Sequence, residues 1–151
     1  MNLQELINNL PLELIYKIMS YILKPQPKFL LEDIKNYYES KKIGYLLYSN
    51  RFKEEPGQIA NWFANDICSY MNCEMASMYG YVEKYYDIFF RLKQLVSKQD
   101  ILSYTYHLEK DKVDREINVK WALLLPKERM EMIKTYYTKE EINLFLPHSS
   151  P

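Results

Sequence analysis

Few side chains in this sequence combine the types and spacing that chemistry needs. Cys68 and Cys73 lie five residues apart, and His107 and His148 are far from both. Zinc sites draw on cysteine and histidine at short, repeated spacings, so no metal site is expected. Nucleophilic catalysis needs a serine or cysteine beside a positioned histidine. His107 is the one imidazole outside the tail, and its neighbours predict a surface or half-buried helical side chain. Gly44, Gly57 and Gly80 are isolated, whereas phosphate-cradling loops cluster their glycines. The carboxylate pairs Glu32-Asp33, Glu54-Glu55 and Glu140-Glu141 are adjacent in sequence. On a helix such neighbours diverge, which makes them solvated faces or caps. The residues therefore predict no catalytic group, no cofactor and no enzymatic activity.

Composition bounds the partners. The 151 residues suit one domain, and 48% hydrophobic content can fill a core. Twenty basic residues balance twenty acidic ones. Residues 1–75 carry 8 basic and 9 acidic side chains, and residues 76–151 carry 12 and 11. Neither half has the basic excess of a nucleic-acid surface. Lys41-Lys42 with Arg51 and Lys53 is the one small basic cluster, and Glu54-Glu55 follows it. Uncharged runs such as 43–50 reach at most about half of a membrane span. No basic n-region precedes an apolar stretch at Met1. Together with two cysteines read as buried, reduced thiols, this predicts an intracellular protein without nucleic-acid or membrane partners.

The elements that must position everything else read as helices. Leu3, Leu6, Ile7 and Leu10 are spaced three and four apart, and Leu14, Ile18 and Ile22 continue the face beyond Pro11. Pro11 suits a first helical turn, and Lys24-Pro25-Gln26-Pro27 reads as a rigid connector. Phe29, Leu30, Ile34 and Tyr37 give the next face, and Ile43, Leu46 and Leu47 a further short helix ending near Arg51. Pro56-Gly57 breaks the chain before a helix from Gln58 to about Cys73. One long aromatic helix is expected from about Ala76 to Ser97, burying Tyr85, Ile88, Phe89, Leu92 and Val96. Another starts at Asp100-Ile101. The charged run 109–116 fits either a solvated helix or a loop, and residues 101–121 are also compatible with a small hairpin. Pro126 reads as a helix start, Thr138 to Glu141 as a capping box, and 148–151 as a frayed tail. The fold class is all-α, seven to nine helices in one compact domain.

The stretch Leu10-Pro11-Leu12-Glu13-Leu14-Ile15-Tyr16-Lys17-Ile18-Met19-Ser20-Tyr21-Ile22-Leu23 resembles the first half of an F-box. That pattern runs Leu-Pro-x-Glu followed by aliphatic pairs and a closing Ser-Tyr-Leu, with Ile22 here in place of the usual Leu. An ordinary F-box continues with a helix bearing Leu, a Val-Cys-like pair and Trp. Here Pro25-Gln26-Pro27 and Leu30-Leu31-Glu32-Asp33-Ile34 stand instead. This variant looks like the F-box-like proteins encoded by large DNA viruses, and the excess of Lys, Asn, Ile and Tyr suits AT-rich coding DNA. The resemblance covers roughly residues 6–50.

The resemblance implies an adaptor that docks a host Skp-type subunit of a cullin–RING ubiquitin ligase and presents a target protein through its remaining helices. Leu10, Pro11, Leu14, Ile15, Ile18 and Ile22 would form the docking surface, in the manner of helix-in-groove recognition. Residues 1–53 would then be the F-box-like segment and 54–147 the partner-binding or structural region. The expected location is the host cytoplasm, with the nucleus and the virion also compatible. A second reading is a small viral structural or scaffold protein whose aromatic surplus serves homo-oligomerisation. Aromatic residues at helical spacing from Trp62 to Tyr106 are expected in the core.

Overall fold

A computed structural model describes residues 11–14, 16–17 and 26–146. The leading helix expected around residues 3–10, the continuation through 18–23 and the tail at 148–151 lie outside the described residues. The chain divides into two units, Met1–Glu32 and Asp33–Pro151. In the first, residues 12–14 and 16–17 are helical, and the Leu14 N–H donates to the Pro11 carbonyl at 3.0 Å. Pro11 thus stands at the helix start expected of it.

Seven α-helices run through the described residues from Lys28 onward, with no strand among them. They are α1 (Lys28–Arg51), α2 (Ile59–Met71), α3 (Glu83–Phe89), α4 (Lys98–Glu109), α5 (Val113–Leu123), α6 (Pro126–Tyr136) and α7 (Lys139–Asn143). The fold is all-α, and the hairpin option over 101–121 is replaced by α4 and α5. No helix of the described residues is long and apolar enough to cross a membrane.

Helix α1 corrects the expectation of two helices between Phe29 and Arg51. No proline interrupts its 24 residues, and a lone glycine costs a helix only about 1 kcal/mol. Gly44 is also required by packing: a Cβ there would meet Phe63 Cζ at 2.6 Å. The Phe63 ring, fully buried, stacks on Tyr48 at 4.9 Å and meets Trp121 edge-on at 5.3 Å. Helix α2 supplies Phe63, Ile67 and Met71, and α5 supplies Ile117 and Trp121. Fully burying each such side chain is worth roughly 1.5–3 kcal/mol.

The single long helix expected over 76–97 is not formed. A 3-10 turn, Ser77–Tyr79, and Gly80 at φ 97° precede a seven-residue α3. The cause is the fully buried Asn72. Its amide donates to the Met75 and Gly80 carbonyls at 2.8 and 3.0 Å and accepts from the Val82 N–H at 2.8 Å. These bonds hold the chain in a loop at the point where a helix would otherwise continue. Tyr85, Ile88 and Phe89 are buried as expected, whereas Val96 is 80% exposed.

Caps then set the later boundaries. Ser97 Oγ accepts from the Asp100 N–H, and Asp100 accepts from the Ser97 N–H, which opens α4. Thr138 and Glu141 do the same for α7, the capping box expected from sequence. The charged run divides, with α4 ending at Glu109 and α5 beginning at Val113. Arg129, 1% exposed, pins the C-terminal half. It donates to the Trp121 carbonyl at 2.9 Å, Asp33 at 2.7 Å and Asn36 at 2.9 Å.

Candidate functional site

Two places merit description: the expected docking residues and a cleft of the second unit. Of the docking set, Pro11 and Leu14 are described, and both are exposed. Leu12, Leu14 and Tyr16 are 62%, 46% and 68% exposed. Leu10, Ile15, Ile18 and Ile22 lie outside the described residues.

The cleft has a volume of about 560 Å³, within the size range of small-molecule sites. Helix α2 contributes Cys68 and Ser69, the loop after it Glu74 and Met75, the end of α4 Glu109, and α5 Glu116. Beside it Lys120, with no exposed surface, places its ammonium 2.6 Å from Glu116 and 3.6 Å from Glu109. Tyr81 donates to Glu109 at 3.4 Å. Across the cleft Glu74 accepts from Ser69 at 3.0 Å and from Tyr136 at 2.8 and 2.9 Å.

Local backbone geometry places Glu74. At the end of α2, Cys73 and Glu74 both take left-handed conformations, with φ 51° and 61°. The Glu74 N–H returns to the Ser69 carbonyl at 2.8 Å. Such a turn satisfies the last carbonyls of a helix, though glycine usually occupies the left-handed position. It also corrects the reading of two buried thiols: Cys68 is half-buried, and Cys73 is exposed.

Charge determines what the cleft can do. Burial pushes the Cys68 thiol up, Glu109 and Glu116 add to this, and the Lys120 charge opposes it. The net shift is upward, which keeps the sulfur protonated and weakly nucleophilic. For Lys120, burial favours the neutral amine, yet its pKa is raised, with the Glu116 and Glu109 carboxylates among the groups that favour the cation. It is a held cation. The carboxylates of Glu74, Glu109 and Glu116 outnumber it, so the cleft offers acceptors to a hydrogen-bond donor.

Among the described residues, no three His, Cys, Asp or Glu side chains are grouped to hold a metal ion. His107 is a surface residue, edge-on to Tyr106. The expectation that aromatics from Trp62 to Tyr106 fill the core holds for Phe63, Tyr70, Tyr85, Tyr86 and Phe89. It fails for Trp62, Tyr79 and Tyr106, which are 43%, 77% and 55% exposed. Trp62 stacks instead on Phe52 at 5.4 Å, near the start of α2.

Sequence reading missed Lys120, which lies just beyond the charged run 109–116. A signal was present: Glu116 and Lys120 are four apart on a helix, and Lys120 lies between the apolar positions Ile117 and Trp121. No protein-family model, curated protein or solved structure matches this chain.

Proposed function

We propose that this chain is a non-enzymatic, F-box-like adaptor. The helix beginning at Pro11 docks a host Skp-type subunit of a cullin–RING ligase, and the helices from residue 54 onward present a target protein. The supporting observation is that Pro11, Leu12, Leu14 and Tyr16 stand exposed on a helical start. Aliphatic side chains left in water at a proline-initiated helix suit insertion into a partner's apolar groove. The core of the second unit is built from its own residues, Phe63, Ile67 and Trp121 among them. The acceptor-rich cleft at Glu74, Glu109 and Glu116 is the candidate place for a target.

The test is capture of a purified Skp-type subunit by the wild type, by Leu10→Ala/Pro11→Ala and by Leu14→Glu. Leu14 is exposed, so its substitution leaves the fold intact. Capture by the wild type and a loss of tenfold or more in both variants is expected, the effect of removing an interface hot spot. Absence of capture by the wild type overturns the reading.

A further inference from the structure

Helix α1 is two helices in its chemistry, although one in its backbone. Its buried residues, Ser40, Gly44, Leu47 and Tyr48, all belong to its C-terminal half. Before Ser40 no residue is fully buried, yet Leu30, Leu31, Ile34 and Tyr38 are 37%, 52%, 56% and 65% exposed. Spaced four apart, Leu30, Ile34 and Tyr38 line one face, and Leu31 flanks it. A solvent-facing helical surface is ordinarily polar, so an apolar stripe of this kind is a surface made to be covered.

The flank of the stripe names what covers it. Lys28, Glu32, Lys35, Glu39 and Lys42 follow one another four, three, four and three residues apart, with alternating sign. Each sign recurs every seven residues, so the two signs alternate along one edge of the stripe. Within α1 the pairs Lys28–Glu32 and Lys35–Glu39 are loose, at 3.7 and 3.8 Å, and more than half exposed. Such pairs contribute little to the helix itself. Placed antiparallel against a second copy, the series is its own complement. With a two-fold axis between Asp33 and Ile34, Lys28 faces Glu39 of the other copy and Glu32 faces its Lys35. A partner with one sign of charge would meet a repulsive residue at every second position.

We infer that the N-terminal half of α1 is a homodimerisation surface, in which two copies pair antiparallel about a two-fold axis. The apolar stripe forms the centre and the alternating charges the rim, the usual anatomy of an interface. A two-fold contact uses the same patch on both copies, as this one requires. The inference is independent of adaptor docking, which uses residues 10–22.

Reversing charges tests it without disturbing the core, because all four rim side chains are exposed. Sedimentation equilibrium is measured from low to high micromolar protein for the wild type, Glu32→Lys/Glu39→Lys, Lys28→Glu/Lys35→Glu and their equimolar mixture. Circular dichroism checks that each variant keeps its helix content. The expected result is a wild type with twice the 18.3 kDa chain mass, two monomeric variants, and recovery of the doubled mass on mixing. A wild type that stays monomeric throughout the range overturns the inference. So do reversed variants that remain dimeric, or a mixture that fails to recover. A wild type that fails to capture the Skp-type subunit while keeping the doubled mass would count against the docking reading alone.

Discussion

The ammonium of Lys120 and the carboxylate of Glu116, one turn apart on α5, form a 2.6 Å ion pair in which the lysine is fully shielded from water. Removing water from an ammonium costs several kcal/mol, so the pair is held by mutual need. Truncating one partner leaves the other charge buried. Glu116→Ala should destabilise the fold by about 3 kcal/mol, with Glu109 at 3.6 Å offsetting part of the loss. The double replacement Glu116→Leu/Lys120→Met, which removes both charges, should fall within about 1 kcal/mol of wild type. Urea denaturation of both variants checks the asymmetry; equal losses would contradict it.

Gly44 gives a second prediction whose sign opposes helix propensity. Alanine is about 1 kcal/mol better than glycine inside a helix, yet its Cβ would stand 2.6 Å from Phe63 Cζ. Phe63 is locked between Tyr48 and Trp121, so the ring has little room to retreat. Gly44→Ala should lower stability by about 1–3 kcal/mol, the usual cost of overpacking. Gly57→Ala, with nothing within 4 Å of the added carbon, should be neutral or slightly stabilising. Thermal melts of the two variants separate packing from propensity.

Acid sensitivity follows from Arg91 and Glu128. Burial alone would raise the Glu128 carboxyl, but two hydrogen bonds from Arg91, at 2.5 and 2.8 Å, and the Leu125 N–H at 2.7 Å leave it lowered. A folded-state value below the unfolded one, about 4.3, stabilises the fold fully above that value. The contribution is lost as pH falls through the folded value. Glu128→Gln should therefore flatten the acid limb of the stability–pH curve below about pH 4. Asp66 runs the other way. Burial raises its carboxyl against the opposing hydrogen bond from Tyr48, so its share is present below the unfolded value and fades as pH rises. Asp66→Asn should reduce that fading. Stability titrations of the two variants must diverge in opposite directions.

Local signals made the later half of the fold legible. Pro126, Thr138 and the spacing of Tyr85, Ile88 and Phe89 each act through the backbone beside them, so their elements and burial could be read in place. The misread elements depend on distant partners. Gly44 looks like a weak point until Phe63 fills its missing Cβ. The run from Ala76 looks helical until the Asn72 amide captures Gly80 and Val82. In the cleft, Cys68 and Glu74 gave no sequence sign, because their meeting depends on two consecutive left-handed residues that are not glycine. Pro11 acts locally as well, and the helical start it predicts is formed at residues 12–14.

The packing of α2 against α5 has a consequence for how the chain comes off the ribosome. Phe63, the fully buried centre of α2, must wait for Trp121, nearly sixty residues later, before its edge-on contact can form. At the usual 5–20 residues per second this interval lasts roughly 3–12 s. Throughout it the face of Phe63, Ile67 and Met71 lacks the α5 surface that shields it in the finished fold. Helices form in microseconds, so α2 would present this apolar face for more than a third of synthesis, a natural client for holding chaperones until α5 is made.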